Sequence, residues 1–247
     1  MKVSIITVSY NSEQTIRDTF ESVRFQDLDG FTLEYILVDG LSTDSTMIIS
    51  RDYDDIINVS LSEQELGIYN AMNKGVSLAT GDIIGFLNSD DTFSQSDSLR
   101  KVVRCFTENK TLDIVYGDID YVDSNGEITR RWRTGAQKAF SKGWHPAHPG
   151  FYARKELFQE YGGFDEKLSI AADFDLMLRF IEVANSNTKY LEGVLVKMKL
   201  GGESNRSLKN IREGNRQIIQ SFNKYSITPQ FLYTVRRLIR KAFQSWI

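Results

Sequence analysis

Residues 81–91 read Gly-Asp-Ile-Ile-Gly-Phe-Leu-Asn-Ser-Asp-Asp, and this stretch decides the predicted fold. Its apolar run, 83–87, is short and continuous, which is typical of a strand buried on both faces of a parallel sheet. The run ends abruptly in Asn88, Ser89, Asp90 and Asp91. Neighbouring carboxylates repel each other, so a divalent cation that carries a diphosphate would stabilise this pair. A plain turn is the alternative, because Asn, Ser and Asp are common turn residues.

Strand and helix patterns alternate on the N-terminal side of this stretch. Further buried strands are predicted over 3–8, 33–38 and 56–60, with helical patterns between them. Asn11 is predicted to cap the first helix, and the segment 42–46 is predicted to begin the second with an acidic first turn. This alternation predicts an α/β fold, in which a Rossmann-like, mainly parallel sheet carries helices on both faces.

The second half of the chain is less regular. It contains a hairpin turn at 124–126, a helix that opens near Asp173 and a strand pattern over 190–200. No internal repeat or linker separates these elements. We therefore predict one α/β domain over 1–202, followed by a basic, helical extension over 203–247.

Composition and missing motifs exclude several classes of protein. The 247 residues are 41% hydrophobic and 26% charged, which indicates a soluble globule with a core. With one cysteine and two histidines, the chain has no internal disulfide and no thiolate metal cage. The dinucleotide-binding glycine fingerprint, the P-loop and the hydrolase nucleophile elbow are all absent from the sequence. The N-terminus leaves no room for a signal peptide, so a cytoplasmic protein is predicted.

Charge is divided unevenly along the chain. Residues 203–247 contain nine basic and two acidic residues, whereas the chain as a whole has a net charge of −3. Within this extension, 230–247 places apolar side chains on one helical face with arginines beside them, which suits an anionic membrane surface. The hypothesis is peripheral contact with the inner face of the cytoplasmic membrane, and packing on the domain or in a dimer is the alternative. Nucleic acid is not a predicted partner.

Candidate site residues follow from the predicted sheet, because ligands bind outside the carboxyl ends of parallel strands. Tyr10 and Asp39 fall at such ends, as does the segment 88–91. Tyr10 could stack on a nucleotide base or pack in the core. Asp39 could accept a hydrogen bond from a base or ribose, or serve the turn beside Gly40.

Three further side chains have both a functional and a structural interpretation. Lys74 could reach a phosphate or simply face solvent. Asp173 could act as a general base at the start of a helix or as its N-cap. His148, in a proline-stiffened loop, could contact a diphosphate or an acceptor, or be a structural histidine.

Taken together, these residues resemble the family 2 glycosyltransferases of bacterial polysaccharide and O-antigen synthesis, which have the GT-A fold. The similarity begins with Val-Ser-Ile-Ile-Thr-Val-Ser-Tyr-Asn at 3–11 and continues with Ile-Leu-Val-Asp-Gly at 36–40. It includes Gly-Ile-Tyr-Asn-Ala-Met-Asn-Lys-Gly at 67–75, Gly-Gly-Phe-Asp-Glu at 162–166 and Ala-Asp-Phe-Asp at 172–175. The motifs keep the family's order over about residues 2 to 202.

The resemblance implies a role for each candidate residue. Contacts to the nucleotide sugar are expected from Val8, Tyr10, Asn11, Asp39, Lys74, Asn88 and Ser89. Mn²⁺ or Mg²⁺ would be held by Asp90 with support from Asp91, and Asp173 would be the catalytic base. Two departures stand out, because Asn88 replaces the first acid of the family's Asp-x-Asp motif and Ala172 replaces the glutamate before the catalytic aspartate.

The activity implied by the resemblance is an inverting, metal-dependent sugar transfer. The donor would be a nucleoside diphosphate sugar, with UDP as the expected nucleotide. The acceptor would be a hydroxyl of a glycan or a polyprenyl-linked lipid in surface polysaccharide or lipopolysaccharide synthesis. A sugar nucleotidyltransferase is one alternative, although Ser9-Tyr10-Asn11-Ser12 lacks the glycine-rich, basic loop that it needs. A non-catalytic nucleotide-sugar-binding protein is the other, because Asn88 and Ala172 depart from the family pattern.

Overall fold

A computed structural model describes residues 1–64, 67–200, 208–229 and 233. The N-terminal half forms a parallel sheet, with strands β1 (Lys2–Ser9), β2 (Thr32–Asp39), β3 (Val59–Ser62) and β4 (Ile83–Phe86). The connections are helical, and they are α1 (Ile16–Arg24), α2 (Thr46–Ser50) and α3 (Ile68–Leu78). The predicted alternation of strands and helices is confirmed.

The second half extends the same sheet with antiparallel pairs and one parallel pair, β6 with β9. Its strands are β5 (Thr92–Phe93), β6 (Ile114–Val122), β7 (Ile128–Trp132), β8 (Phe151–Arg154) and β9 (Thr188–Lys199). Its helices are α4 (Ser98–Glu108), α5 (Lys155–Tyr161), α6 (Ala172–Leu178) and α7 (Leu208–Lys224). In the part of the chain that the structure describes, the strand order is β3-β2-β1-β4-β8-β6-β9-β5, and β7 forms a hairpin with β6.

Apolar side chains cover both faces of the sheet. On β1, Val3 and Ile5 join a core cluster with α1 and α4, whereas Ile6 and Val8 join a second cluster with α3, α5 and α6. Successive residues of a strand point to opposite faces, so a continuous apolar run is what a strand covered on both sides requires.

Local boundaries differ from prediction near the first two helices. Asn11 was predicted as an N-cap, but its φ of 48° lies in the left-handed region and α1 begins only at Ile16, with Thr15 at the N-cap position. The second helix begins at Thr46 and has no acid in its first turn. Asp44 lies just before it and accepts a hydrogen bond from the Thr46 amide at 2.9 Å. Both polar segments form loops at the sheet edge instead of helical turns.

The C-terminal helix α7 belongs to the core. Its Ile218 and Phe222 are buried in the cluster that contains α6. The predicted amphipathic segment 230–247 lies outside the described residues except for Tyr233, which packs on Phe222 with ring centroids 5.0 Å apart. None of the helices that the structure describes has the length and apolar character needed to cross a membrane.

Candidate active site

A cleft of about 1250 Å³ opens at the carboxyl ends of β1 and β4. It gathers most of the predicted site residues, which are Val8, Tyr10, Asn11, Asn88, Ser89, Asp90, His148 and Asp173. The residues that line it do not include Asp39, Lys74 or Asp91. Parallel strands therefore bring distant polar segments to one edge, as the sequence predicted.

The end of β1 supplies a flat, accessible surface. Tyr10 is 66% exposed at the cleft, so it is available for stacking and is not a core residue. Asn11, beside it, forms hydrogen bonds with the loop after β2. Its side-chain oxygen accepts a hydrogen bond from the Thr43 amide at 2.9 Å, and its own amide donates to the Ser42 hydroxyl at 2.8 Å.

Asp39 lies beneath this surface and is fully buried. Its Oδ1 accepts hydrogen bonds from the Ser9 and Ser42 hydroxyls, at 2.8 and 2.5 Å. Its Oδ2 accepts from the Ser42 amide at 2.8 Å and from the Ser62 hydroxyl at 3.0 Å. Four bonds use the acceptor capacity of a carboxylate. The structure thus places Asp39 as a tie between the ends of β1, β2 and β3, and not among the residues that line the cleft.

The two carboxylates after β4 occupy different environments. Asp90 is half-buried and lines the cleft, and burial raises its pKa above the usual value. Asp91 is fully buried, and burial, followed by the charge of Asp90, raises its pKa well above the usual value. Asn88 donates from Nδ2 to Asp91 Oδ2 at 3.0 Å, whereas the buried Asn88 Oδ1 has no hydrogen-bond partner. Asp91 therefore faces the interior.

Ser89 is held in place by α1 and the loop before it. Its hydroxyl lies 2.8 Å from that of Ser12, and its carbonyl accepts from Thr15 at 2.8 Å.

Asp173 reaches the cleft from the first turn of α6. The N-cap position of α6 is Ala171, so the N-cap interpretation of Asp173 is wrong. Asp173 is half-buried, and its Oδ1 accepts a hydrogen bond from the Phe174 amide at 2.8 Å. Among the residues described, Asp90 and Asp173 are the acidic side chains that line the cleft.

Tyr69 is a cleft residue that sequence reasoning missed. Its hydroxyl donates to the Ile170 carbonyl at 2.8 Å. Burial, and next the negative charge of Asp173, raise the pKa of this hydroxyl well above the usual value, so Tyr69 and Asp173 are close neighbours. Tyr69 belongs to the motif at 67–75, which was a signal for the family but was given no role of its own.

Sequence reasoning also missed a basic wall of the cleft, which is formed by arginines on β7 and directly after it. Arg130, Arg131 and Arg133 line the cleft. The guanidinium of Arg130 lies 4.6 Å from the ring centroid of Tyr121, and burial lowers its pKa. Arg133 forms an ion pair with Asp120 at 2.7 Å. The run Arg-Arg-Trp-Arg at 130–133 was the available signal.

His148 and Lys74 have different surroundings. His148 is 9% exposed, and its ring lies 5.1 Å from that of Phe86 and 5.5 Å from that of Phe164. Burial lowers the pKa of His148 to about 4, so the ring is neutral near pH 7, and its Nε2 has no hydrogen-bond partner. Lys74 forms an ion pair with Glu63, away from the cleft lining.

The described residues contain no group of three or more His, Cys, Asp or Glu side chains that could hold a metal ion by themselves. A cation in this cleft would need ligands from a bound substrate in addition to Asp90.

Comparison with known proteins finds related sequences. Residues 4–169 match the model of the family described as glycosyl transferase family 2. A relative from Mycobacterium tuberculosis, described as a PGL/p-HBAD biosynthesis glycosyltransferase, is 30% identical over 210 residues. The matched region covers 82% of this chain and 78% of the relative.

Solved structures share the fold. TarS 1–349 from S. aureus, in complex with UDP, has a TM-score of 0.66 at 22% identity, over 98% of this chain and 70% of that one. The mannosyltransferase PcManGT from Pyrobaculum calidifontis, in complex with GDP-Man and Mn²⁺, has a TM-score of 0.67 at 19% identity, over 98% and 69%. The predicted GT-A type of α/β domain is confirmed by this likeness.

Proposed function

The chain belongs to glycosyl transferase family 2, and from this premise we propose an inverting transfer of a sugar from a nucleoside diphosphate sugar to an acceptor hydroxyl. The observation that carries the proposal is that side chains from three separate elements line one cleft. An exposed aromatic ring, Tyr10, lies at one strand end, the carboxylate of Asp90 lies at another, and Asp173 projects from a helix into the same space.

UDP is the proposed nucleotide. Tyr10 offers an exposed ring for base stacking, with the nearly buried Val8 beside it at the end of β1. A structure of TarS holds UDP-GlcNAc, whereas that of PcManGT holds GDP-Man. These neighbours support a nucleotide-sugar donor in general, and UDP is the nucleotide to test first.

The residues at the end of β4 fit a divalent cation that the donor helps to hold. Asp90 is a cleft carboxylate whose pKa is raised by burial, so its charge would gain from a nearby cation. The unpartnered Asn88 Oδ1 is a second oxygen in the same segment. Mg²⁺ is commonly bound by one or two carboxylates together with substrate phosphates. When bound, the cation would offset negative charge on the diphosphate leaving group.

Asp173 is the proposed general base. It would take the proton of the acceptor hydroxyl while that oxygen bonds to the anomeric carbon. The bond from the anomeric carbon to the diphosphate breaks in the same step, and its electron pair leaves with the nucleoside diphosphate. One displacement inverts the anomeric carbon, and it requires one base. This fits a cleft in which one of the two acids lining its described part serves the cation and the other the acceptor.

The proposed acceptor is a glycan or polyprenyl-linked lipid used for bacterial surface polysaccharide. The mycobacterial relative is described as a PGL/p-HBAD biosynthesis glycosyltransferase, which supports a biosynthetic role. Contact of 230–247 with the inner face of the membrane is part of this proposal, since a lipid-linked acceptor would lie there.

A donor screen tests the proposal. The full chain is incubated with UDP-GlcNAc, UDP-glucose, UDP-galactose or GDP-mannose, with Mn²⁺, Mg²⁺ or EDTA, and both the melting temperature and nucleoside diphosphate release are measured. One donor should stabilise the chain and be slowly hydrolysed, more so with metal. Absence of binding by every donor would sink the proposal, and equal binding in EDTA would remove the cation from it.

A matched pair of variants locates the cation. Asp90→Asn should lose the metal-dependent part of donor binding, because the amide carries no charge. Asp29→Asn removes an exposed carboxylate outside the cleft lining and should behave like the unmodified chain. Full metal dependence in Asp90→Asn would assign the cation elsewhere.

A further inference from the structure

The residue at the N-cap position of the helix that carries Asp173 supplies no side-chain cap. Ala171 occupies the N-cap position of α6 and makes no side-chain hydrogen bond to it. Amides at the start of a helix have no partner within the helix and need one from elsewhere. The position of the loop 169–171, which leads into Asp173, therefore depends on contacts with residues elsewhere in the chain.

Gln217 of α7 is such a partner. Its Oε1 accepts hydrogen bonds from the amides of Ile170 and Ala171, at 2.9 and 3.0 Å. Its Nε2 donates to the Ser169 hydroxyl at 3.0 Å and to Glu213 at 2.9 Å. Gln217 is 2% exposed, its bond to the Ala171 amide is buried, and the other three bonds are partly buried. This one side chain contacts each residue of the loop 169–171.

The loop is held from its other side by Tyr69. The Tyr69 hydroxyl donates to the carbonyl of Ile170, whose amide is bound by Gln217. Burial and then the negative charge of Asp173 raise the pKa of the same hydroxyl, so it lies near that carboxylate. Gln217, the Ile170 peptide and Tyr69 thus form a continuous chain of hydrogen bonds that ends beside the catalytic carboxylate.

The backbone of α7 approaches this loop closely. A Cβ atom added at Gly214 would lie 3.2 Å from Ile170 Cγ2, so the glycine permits the approach. At the C-terminal end of α7, the Tyr225 hydroxyl donates to Asp175 at 3.1 Å, and Lys224 pairs with Asp165 at 2.9 Å. Together these contacts hold the middle of α7 against the loop and its C-terminal end against Asp175 and Asp165, so the position of α7 can set that of the loop.

We propose that Gln217 is a positioning residue for Asp173, which it orients through the backbone of 169–171. The inference rests on the proposed role of Asp173 as the base. It places part of the catalytic apparatus on α7, beyond the 4–169 segment that matches the family model. A misplacement of about 1 Å can lower turnover by about a hundredfold, so a hydrogen-bonded support of this kind can control the rate.

Three variants of the full chain separate positioning from simple stability. Gln217→Met keeps the length of the side chain and removes its polar contacts. The double variant Glu213→Gln with Gln217→Glu exchanges the two side chains. It keeps an acceptor oxygen at position 217 for the amides of Ile170 and Ala171, and it leaves the total charge unchanged. Ser221→Ala is the control, since Ser221 is equally buried on α7 and bonds only within that helix, to the Gln217 carbonyl at 3.2 Å.

The measurement is kcat for nucleoside diphosphate release from the donor found in the screen, together with the donor Kd. Gln217→Met should lower kcat at least tenfold and change Kd less than twofold, since Tyr10 and Asp90 are untouched. The double variant should recover most of the loss, and Ser221→Ala should match the unmodified chain. A role in stability alone would lower the folded fraction without this split between kcat and Kd.

Each other result has a definite meaning. A folded Gln217→Met with kcat within twofold of the unmodified chain would overturn the inference while the proposed function stands. If Gln217→Met does not fold, Gln217→Asn replaces it, because its amide falls about 1.5 Å short of the loop, and the same tenfold loss is required. If the unmodified chain binds and hydrolyses no donor, the proposed function fails and this inference fails with it.

Discussion

At the scale of single residues, the segment 88–91 places two adjacent acids at different depths, with Asp90 half-buried and Asp91 fully buried. Burial raises the pKa of both Asp90 and Asp91, and the deeper Asp91 is raised further by the charge of its neighbour. Asn88, in place of a third acid, donates a hydrogen bond to Asp91 instead of adding charge. With the departure from the family motif, Asp90 is the acid of this segment that lines the cleft.

Asp39 yields a prediction about stability. In Asp39→Asn, an amide N–H group would face hydroxyl and amide donors, because every neighbour of the carboxylate now donates to it. Hydrogen bonds to a charged group contribute about 1.5–3 kcal/mol each, so a loss of about 2 kcal/mol or more is expected. Urea unfolding measures it, with Asp29→Asn as the exposed control. Equal midpoints for the two variants would contradict the structural role of Asp39.

His148 yields a prediction about pH. Burial lowers its pKa to about 4 in the folded chain, below the usual 6.5, so the unfolded chain binds the proton more tightly. Stability should therefore fall as pH drops from 6.5 towards 4, by about 2 kcal/mol between pH 7 and pH 5.

The comparison that isolates this effect is His148→Phe, which keeps a ring between Phe86 and Phe164 but does not titrate. Urea unfolding of both chains at pH 7 and pH 5 gives the difference. If the difference in unfolding free energy between the two chains were the same at both pH values, protonation of His148 would not destabilise the folded chain, and the prediction would be wrong.

At the scale of elements, the sequence predicts the strands that are covered on both faces. Strands β1, β2 and β4 follow largely apolar runs, which are typical of strands covered on both faces. The edge strand β3 was predicted over 56–60 but pairs over 59–62, because Ile56 and Ile57 pack against the core without joining the ladder. Apolar pattern alone does not separate packing from pairing at a sheet edge.

The missed parts of the site are those that reach it from distant elements. The arginines at 130–133 line the cleft because β7 pairs with β6; the hairpin turn at 124–126 was predicted, but its place beside the cleft was not. Gln217 looks like an ordinary helical residue until α7 lies against α6. Conversely, Asp39 had the sequence features of a ligand contact, and only the three hydroxyls gathered around it reveal a structural tie.

Helix α7 yields a prediction about domain division. A chain that ends at residue 202 loses Ile218 and Phe222, and burying side chains of this size contributes about 1.5–3 kcal/mol each. Its free energy of unfolding should fall by about 4 kcal/mol or more. A chain that ends at residue 229 keeps α7 and should lose less. Equal stability of the 1–202 and full-length chains would show that 203–247 is a separate appendage, as the sequence alone suggested.

At the scale of the whole molecule, one sheet edge brings together segments that are far apart in sequence. The parallel half delivers Tyr10 and Asp90, and the mixed half delivers Asp173 and the basic wall of β7. In the proposed function, donor and acceptor are held by different halves of the fold. That function needs both halves, because no single motif contains the proposed nucleotide contacts and the proposed base.

The proposed function depends above all on Asp173 as the base, and the decisive variant is Asp173→Asn. The amide keeps the size of the side chain but cannot take a proton, and general-base catalysis contributes about 10²–10⁴-fold. The measurement is single-turnover release of nucleoside diphosphate from the donor identified by the screen, with donor Kd from calorimetry. A loss of at least a hundredfold in rate with an unchanged Kd is predicted, and near-normal turnover would contradict the account.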